Sequence, residues 1–502
     1  MAELIIFAII SAFAGVYTLY PKHRQVRLNF SISSHSRHFG LVGLILVLIA
    51  VIIGRFASDA NSYLRSPEWL AINHLNIGGV YLGISFIADI IQILIVLGIS
   101  TYLFYILSST SAPVSDWSSF GSNVREFRDN QNYSQLADLL NDYYSEVFYH
   151  NPEVPDNVKG IIEESIMSRE FITTCTSTRP DFILRVITDD QVDLVDREHL
   201  SDIALRYLIT EPNSLLYSEI RNLEKLHGYA LDRIPERYRI LSNIFEDCSI
   251  EEDLSMARSI GEPTIDYLRE LPDEADDPYN TRSTRFSTSP SDAIPSVYED
   301  QVYIAVQYFD LAVREALHQD HQGHMWLHYY YYFSDEICNN YHQVSQSDGT
   351  DEWESDYQYL LWEMIDNTID WITVAEVHWY NGDFKLTDKR KPVIQSAVDM
   401  LFQVHQRLLA CDNIPNEFKQ KVSHKIIDAY FDLKMSHSDD SNRIGEMMRA
   451  HIAGVTSGDD PETTEYRQQF SRHLSTADID YLYYSRADKA RQIRDDLEQT
   501  IL

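Results

Sequence analysis

Three apolar runs separated by short polar breaks fill the first 108 residues, and no other feature limits so strongly what this chain can fold into. The run Leu4 to Tyr20, LIIFAIISAFAGVYTLY, has no charged residue. At about 1.5 Å per residue, a helix of that length just covers the roughly 30 Å hydrocarbon layer of a bilayer. The run Phe39 to Gly54, FGLVGLILVLIAVIIG, is equally uncharged, and a third extends from Ile77 to Leu107 with Asp89 as its only charged residue. Backbone polar groups in hydrocarbon must be satisfied within their own segment, so the runs predict three transmembrane helices, at about 4–20, 39–54 and 84–107. The first is expected to stay as an anchor: Glu3 and no Lys or Arg precede it, and no small-x-small cleavage site stands before the basic PKHRQVR.

Orientation follows from the flanking charges. Between the first two runs lie Lys22, Arg24, Arg27 and Arg37 with no acid, whereas the next loop sets Arg55 and Arg65 beside Asp59 and Glu68. By the positive-inside rule the first loop is cytoplasmic, which puts the N-terminus outside and everything after about Ser108 inside. In the outer loop, SPEWLAINHL carries helix-start signals at Ser66, Pro67 and Glu68. Gly79 with Gly83, and Ser11 with Gly15, are small pairs that let helices approach closely, as a homo-oligomer would require. Asp89, with Gln92 one turn on, is the intramembrane polar candidate; a pairing near the outer interface is the simpler reading and an ion pathway the sharper one.

Past Trp117 the periodicity turns helical. Leu136, Leu139, Leu140, Tyr143 and Val147 recur at the spacing of one helix face, as do Leu200, Ile203, Ala204 and Tyr207. Breaks such as Pro155-Asp156 and Glu211-Pro212 cut the region into short helices. The segment 272–296, rich in Pro, Ser, Thr and Asp, reads as a linker. The expected fold is therefore all-α: a membrane domain at 1–108 with three N-terminal transmembrane helices, then a large cytoplasmic multi-helical domain of two helical parts, 117–271 and 297–502.

Composition adds two exclusions. Asp and Glu number 76 against 41 Lys and Arg, a formal charge of −35, and only 11 of the 41 are lysine. Such a surface repels itself at low ionic strength and is relieved when salt shortens the screening length, a balance suited to concentrated salt; it also disfavours nucleic acid as a partner. The cysteines, 175, 248, 338 and 411, form no CxxC pair and read as isolated reduced core residues.

Candidate chemistry concentrates in HQDHQGHMWLHYYYYF, His318 to Phe333. If one helix runs through Gly323, then at about 100° per residue His321, His324 and His328 continue the apolar stripe of the preceding segment and become candidate metal ligands. Without an HExxH or ExxH pair, a tyrosine-rich polar seam is the simpler expectation. Glu363, Asp366 and Asp370 lie opposite Leu361, Ile365, Thr368, Ile372 and Ala375, which reads as a solvated acidic face. The tryptophans 326, 362, 371 and 379 read as core. No nucleotide loop, nucleophile elbow or kinase signature appears, and no catalytic residue and no cofactor is assigned.

These features predict a plasma-membrane protein, multi-pass, whose acidic cytoplasmic body serves as a binding or sensing module for a cytoplasmic protein or small ligand, rather than an enzyme. A membrane effector or channel, oligomeric through its transmembrane helices and gated by that body in stress or defence, is the alternative. A metal-dependent hydrolase built on the histidines ranks third.

Overall fold

The computed structural model describes residues 2–31, 74–77, 80–108, 114–227, 234–275, 300–322, 325–340, 356–373, 385–454, 461–479 and 483–501. It is predominantly helical, with one antiparallel ribbon, β1 (His74–Ile77) and β2 (Val80–Gly83), paired from His74↔Gly83 to Ile77↔Val80. Leu75, expected on a helix of the outer loop, therefore sits in a strand, opposite Leu82; the residues from Ser66 to Ile72 lie outside the described residues. The chain forms two compact units, Met1–Phe182 with Asp189–Asp196, and Ile183–Thr188 with Arg197–Leu502.

In the first unit, numbering only helices of ten residues or more, α1 (Ala2–Leu19) packs on α2 (Ile84–Ser108). One stretch among the described residues, Ile90–Leu107, is a helix long and apolar enough to cross a membrane, and it is largely unburied. Three spans are thus not all found. The apolar part of α1, Phe7–Leu19, is too short for the same test, and the second expected span, 39–54, lies outside the described residues. Two short helices, Lys22–Gln25 and Arg27–Ser31, follow α1 and dock on α3 (Trp117–Asp129) and α4 (Tyr133–Asp142). Phe30, Phe120 and Tyr143 meet edge to face there at 5.0 to 5.6 Å, and the Phe30 carbonyl accepts from the backbone N–H groups of Ser115 and Asp116. Asp116 caps α3 by accepting from the Ser119 N–H at 3.1 Å. The unit continues with α5 (Asp156–Ile166) and α6 (Arg169–Thr178).

The second unit begins with α7 (Arg197–Thr210) and α8 (Leu215–His227), followed by α9 (Met256–Ala275). The expected linker at 272–296 thus starts inside α9, and the rest of it lies outside the described residues. Next comes α10 (Gln301–His318), in which only Gln307 and His318 escape burial. A helix apolar on nearly all sides must be covered on all of them. Its charged residues then require partners: Arg314 donates to Asp310 and to Asp370, and the Trp371 indole N–H also reaches Asp310 at 2.8 Å.

The remaining helices are α11 (His328–Asn340), α12 (Asp356–Thr373), α13 (Arg390–Ala410), α14 (Asn416–Met435), α15 (Asp439–Ile452), α16 (Pro461–Thr476) and α17 (Ala487–Ile501). Packing of α13 against α11, α12, α15 and α16 makes it the hub of this end of the chain. The acidic face expected on α12 is only partly solvated: Glu363 is buried, and Asp366 and Asp370 are half-buried and paired. Gln307 donates to Glu363 at 2.8 Å, Lys425 pairs with Asp366 at 2.5 Å, and Asp370 takes Arg314. The reason is that α10 and α14 pack on α12, so its acids find basic and amide partners across those contacts. Burial lifts the Asp370 carboxyl to about 6, opposed by the Arg314 charge.

Candidate functional site: a glutamine-lined groove

Gln395, Asp399, Gln403 and Gln406 follow one another at intervals of four, four and three residues, so they share one face of α13. The opposite face, with Ile394, Ala397, Val398, Leu401 and Leu408, is buried in the unit. Across from the polar stripe stands α16, held there by the fully buried Phe470 and Leu474. Between them lie two cavities, of about 620 and 290 Å³, which share Gln403, Gln406 and Tyr466. The larger also takes Tyr331, Arg407, Glu465 and Gln469; the smaller takes Asp399, His451, Gly454 and Thr463.

The tips of the groove are fixed by side-chain pairs. His451 pairs with Asp399 at 2.5 Å and stacks on Phe402 with the planes 7° apart. Arg407 is tied to Asp335 and to Asn339 of α11. Gly454 has φ +68, and a Cβ there would stand 2.5 Å from the Thr463 methyl and 2.6 Å from the Arg467 guanidinium. Only glycine fits both the left-handed backbone and the space.

Behind the groove a chain of hydrogen bonds runs through the core. The Tyr466 hydroxyl meets His405 Nδ1 at 3.0 Å, His405 Nε2 meets the Ser423 hydroxyl at 2.9 Å, and His473 Nδ1 meets the same hydroxyl at 2.7 Å. Burial pushes the His405 imidazole down to about 3, with the neighbouring His473 adding to the effect. His405 is therefore neutral, donating from one ring nitrogen and accepting at the other. Ser423 resembles a nucleophile beside a base, but it is wholly buried, opens to neither cavity and lies 2.8 Å from the Lys419 carbonyl in its own helix. The network locks α13, α14 and α16 together; it does not present an attacking oxygen.

Of the histidines singled out in the sequence, His321 and His328 do not continue the stripe of one helix. The helix ends at His318, and Asp320 takes a left-handed φ of 54. His321, after that turn, meets Glu252 at 3.0 Å and stacks on Trp326, while His328 opens α11 and is exposed. His324 lies outside the described residues, among which no group of three or more His, Cys, Asp or Glu is placed to hold a metal ion. Tyr330 does build core: fully buried, it donates to the Val306 carbonyl at 2.8 Å and accepts from Asn367. Of the tryptophans, 326 and 371 are buried, Trp362 lies under Lys421 and Lys425, and Trp379 is outside the described residues. Gln92 is buried in α2; Asp89 belongs to the same helix, its side chain outside the described residues.

Sequence reasoning passed over the groove because a stripe of Gln and Asp on a helix resembles any solvated face. The available signal was its chemistry: three glutamines in a chain whose other surface positions favour Asp and Glu. No protein-family model, no curated protein and no solved structure matches this chain.

Proposed function

We propose that the chain is a multi-pass plasma-membrane protein whose helical body is a cytoplasmic binding or sensing module, with the α13–α16 groove as its receiving site. The observation that carries the anchoring half is the distribution of exposed large apolar side chains. Among the described residues ten of them, including Phe7, Leu19, Leu94 and Tyr105, lie on α1 and α2, and only Tyr332 and Tyr484 lie elsewhere. An apolar surface gathered on two paired helices needs a covering medium, and a bilayer supplies one.

The docking of residues 22–31 on α3 and α4 supports the proposed topology. Segments in contact occupy the same side of a membrane, so an even number of crossings separates Ser31 from Ser115. Spans at 39–54 and 84–107 satisfy that count, and a first span at 4–20 then leaves the N-terminus outside. The groove supports the binding half, since its four glutamines offer both donors and acceptors while its few charges are largely paired, a lining suited to an uncharged ligand rich in hydroxyl or amide groups.

Two measurements on the full-length chain test the reading. Alkaline carbonate should leave it in the membrane pellet, and release into the supernatant would sink the anchor. In detergent at molar salt, thermal shifts with neutral sugars, nucleosides and short peptides should find a stabilising class whose effect is lost in Gln406→Ala; a response unchanged by that substitution would remove the groove from the proposal.

A further inference from the structure

We infer that Cys338 and Cys411 form a dithiol beside the groove that closes to an intramolecular disulfide on reaction with hydrogen peroxide. The two are 73 residues apart in sequence, yet the Cys411 S–H donates to the Cys338 backbone carbonyl at 3.2 Å, which sets the two residues side by side. Cys411 caps the C-terminus of α13, directly after Leu409 and Ala410 of the larger cavity, and Cys338 faces it from α11. Both are free and buried, so a small oxidant has the advantage over a bulky one.

The surroundings assign the roles. The neighbouring Cys338 side chain, the Asn413 backbone N–H and the charges of Arg407 and Lys419 lower the Cys411 thiol from its ordinary value, against the effect of burial. Cys338 is shifted the opposite way and remains a thiol, with Asp335 also near it. The thiolate is the reactive form of cysteine, so Cys411 is the attacking sulfur and Cys338 the resolving one. Burial pushes Cys175 up to about 12, and burial together with Glu315, Glu251 and Asp247 pushes Cys248 up. Those two serve as internal controls.

The chemistry balances. The Cys411 sulfur attacks one peroxide oxygen; the O–O bond breaks, and the leaving hydroxide departs as water with the thiol proton, leaving a sulfenic acid. The Cys338 sulfur then attacks the Cys411 sulfur, the S–O bond breaks, and hydroxide leaves as a second water with the Cys338 proton. Two thiols are oxidised by two electrons, and one peroxide is reduced to two waters.

The test uses the full-length chain in detergent and molar salt, reduced, freed of reductant by gel filtration in the same buffer, treated with hydrogen peroxide, alkylated with iodoacetamide and digested without reductant. A peptide linked through Cys338 and Cys411 should form and should revert with dithiothreitol, while Cys411 should be consumed at least about tenfold faster than Cys175 or Cys248. In Cys338→Ser, or Cys338→Ala if the serine disturbs folding, Cys411 should stop at a sulfenic acid that a dimedone probe captures. Four thiols that alkylate alike after peroxide, or links only between separate molecules, would overturn the assignment, and the peptides of the wild-type chain alone separate these outcomes whether or not a variant folds.

Discussion

Arg27 and Asp142, 115 residues apart in the chain, form an ion pair in which the guanidinium is wholly buried beneath the Tyr143 ring. His23, one turn earlier, stands 3.6 Å from the same carboxylate and 3.7 Å from Asp138. The segment that carried the topological signal is thus tied to a protein carboxylate through Arg27, with His23 close beside it, and becomes part of the fold. Removing one partner of a buried pair strands the other, so Arg27→Ala should cost about 3 kcal/mol, at the low end of the usual range because Asp142 keeps some contact with water. Asp142→Asn retains a hydrogen-bond acceptor but leaves the wholly buried guanidinium without its counter-charge, and should cost at least as much. Urea unfolding followed by tryptophan fluorescence compares them; equal midpoints for Arg27→Ala and wild type would show that the pair contributes nothing.

Sidedness can be measured directly. A cysteine at Lys22 and one at Ser436 should both be protected from a membrane-impermeant thiol reagent in intact cells and both be labelled after lysis. Labelling of the Ser436 variant from outside would reverse the proposed orientation.

The buried imidazole of His405 makes a pH prediction whose sign is fixed. The unfolded chain takes up a proton near pH 6.5, whereas the folded chain holds His405 neutral until about pH 3. Between those values the unfolded state binds the extra proton, so stability falls as pH falls, by about 1.4 kcal/mol per pH unit for this group, with no contribution above 6.5. His405→Gln should be less stable than wild type at pH 7, by about 1 to 3 kcal/mol, because Tyr466 and Ser423 lose partners. Its stability should also decline less steeply from pH 6 to 4. Parallel pH profiles for the two proteins would exclude a neutral buried His405.

Gly454→Ala should destabilise the second unit by about 1 to 2 kcal/mol from the left-handed backbone alone, with the contact to Thr463 adding to it. Differential scanning fluorimetry provides the comparison, and Gly454→Asn, better tolerated at positive φ, should recover part of the backbone term but none of the crowding. A melting temperature unchanged in the alanine variant would contradict the geometry.

Salt should matter throughout. With a formal charge of −35, the full chain in a non-ionic detergent is expected to lose helical circular dichroism as salt is dialysed away and to regain it in molar salt. Equal signal in dilute buffer and molar salt would remove the inference from composition.

The sequence by itself determined the kind of structure and where its apolar surface lies. Leu136, Leu139, Leu140, Tyr143 and Val147 are all buried, as their spacing requires, because periodicity along a helix is a local property of the chain. Even so, the helix breaks at Tyr143, whose φ of −120 and ψ of 30 leave the α region. Only the tertiary structure decided the rest. Whether His321 and His328 continue one helical stripe depended on a turn at Asp320, and how the acids on α12 are paired depended on what packs over them. Cys338 and Cys411 read as isolated until two helices laid them together, and a stripe of glutamines became a groove only when α16 stood across from it. Each of those outcomes is set by partners at a distance in sequence, which neither composition nor local period encodes.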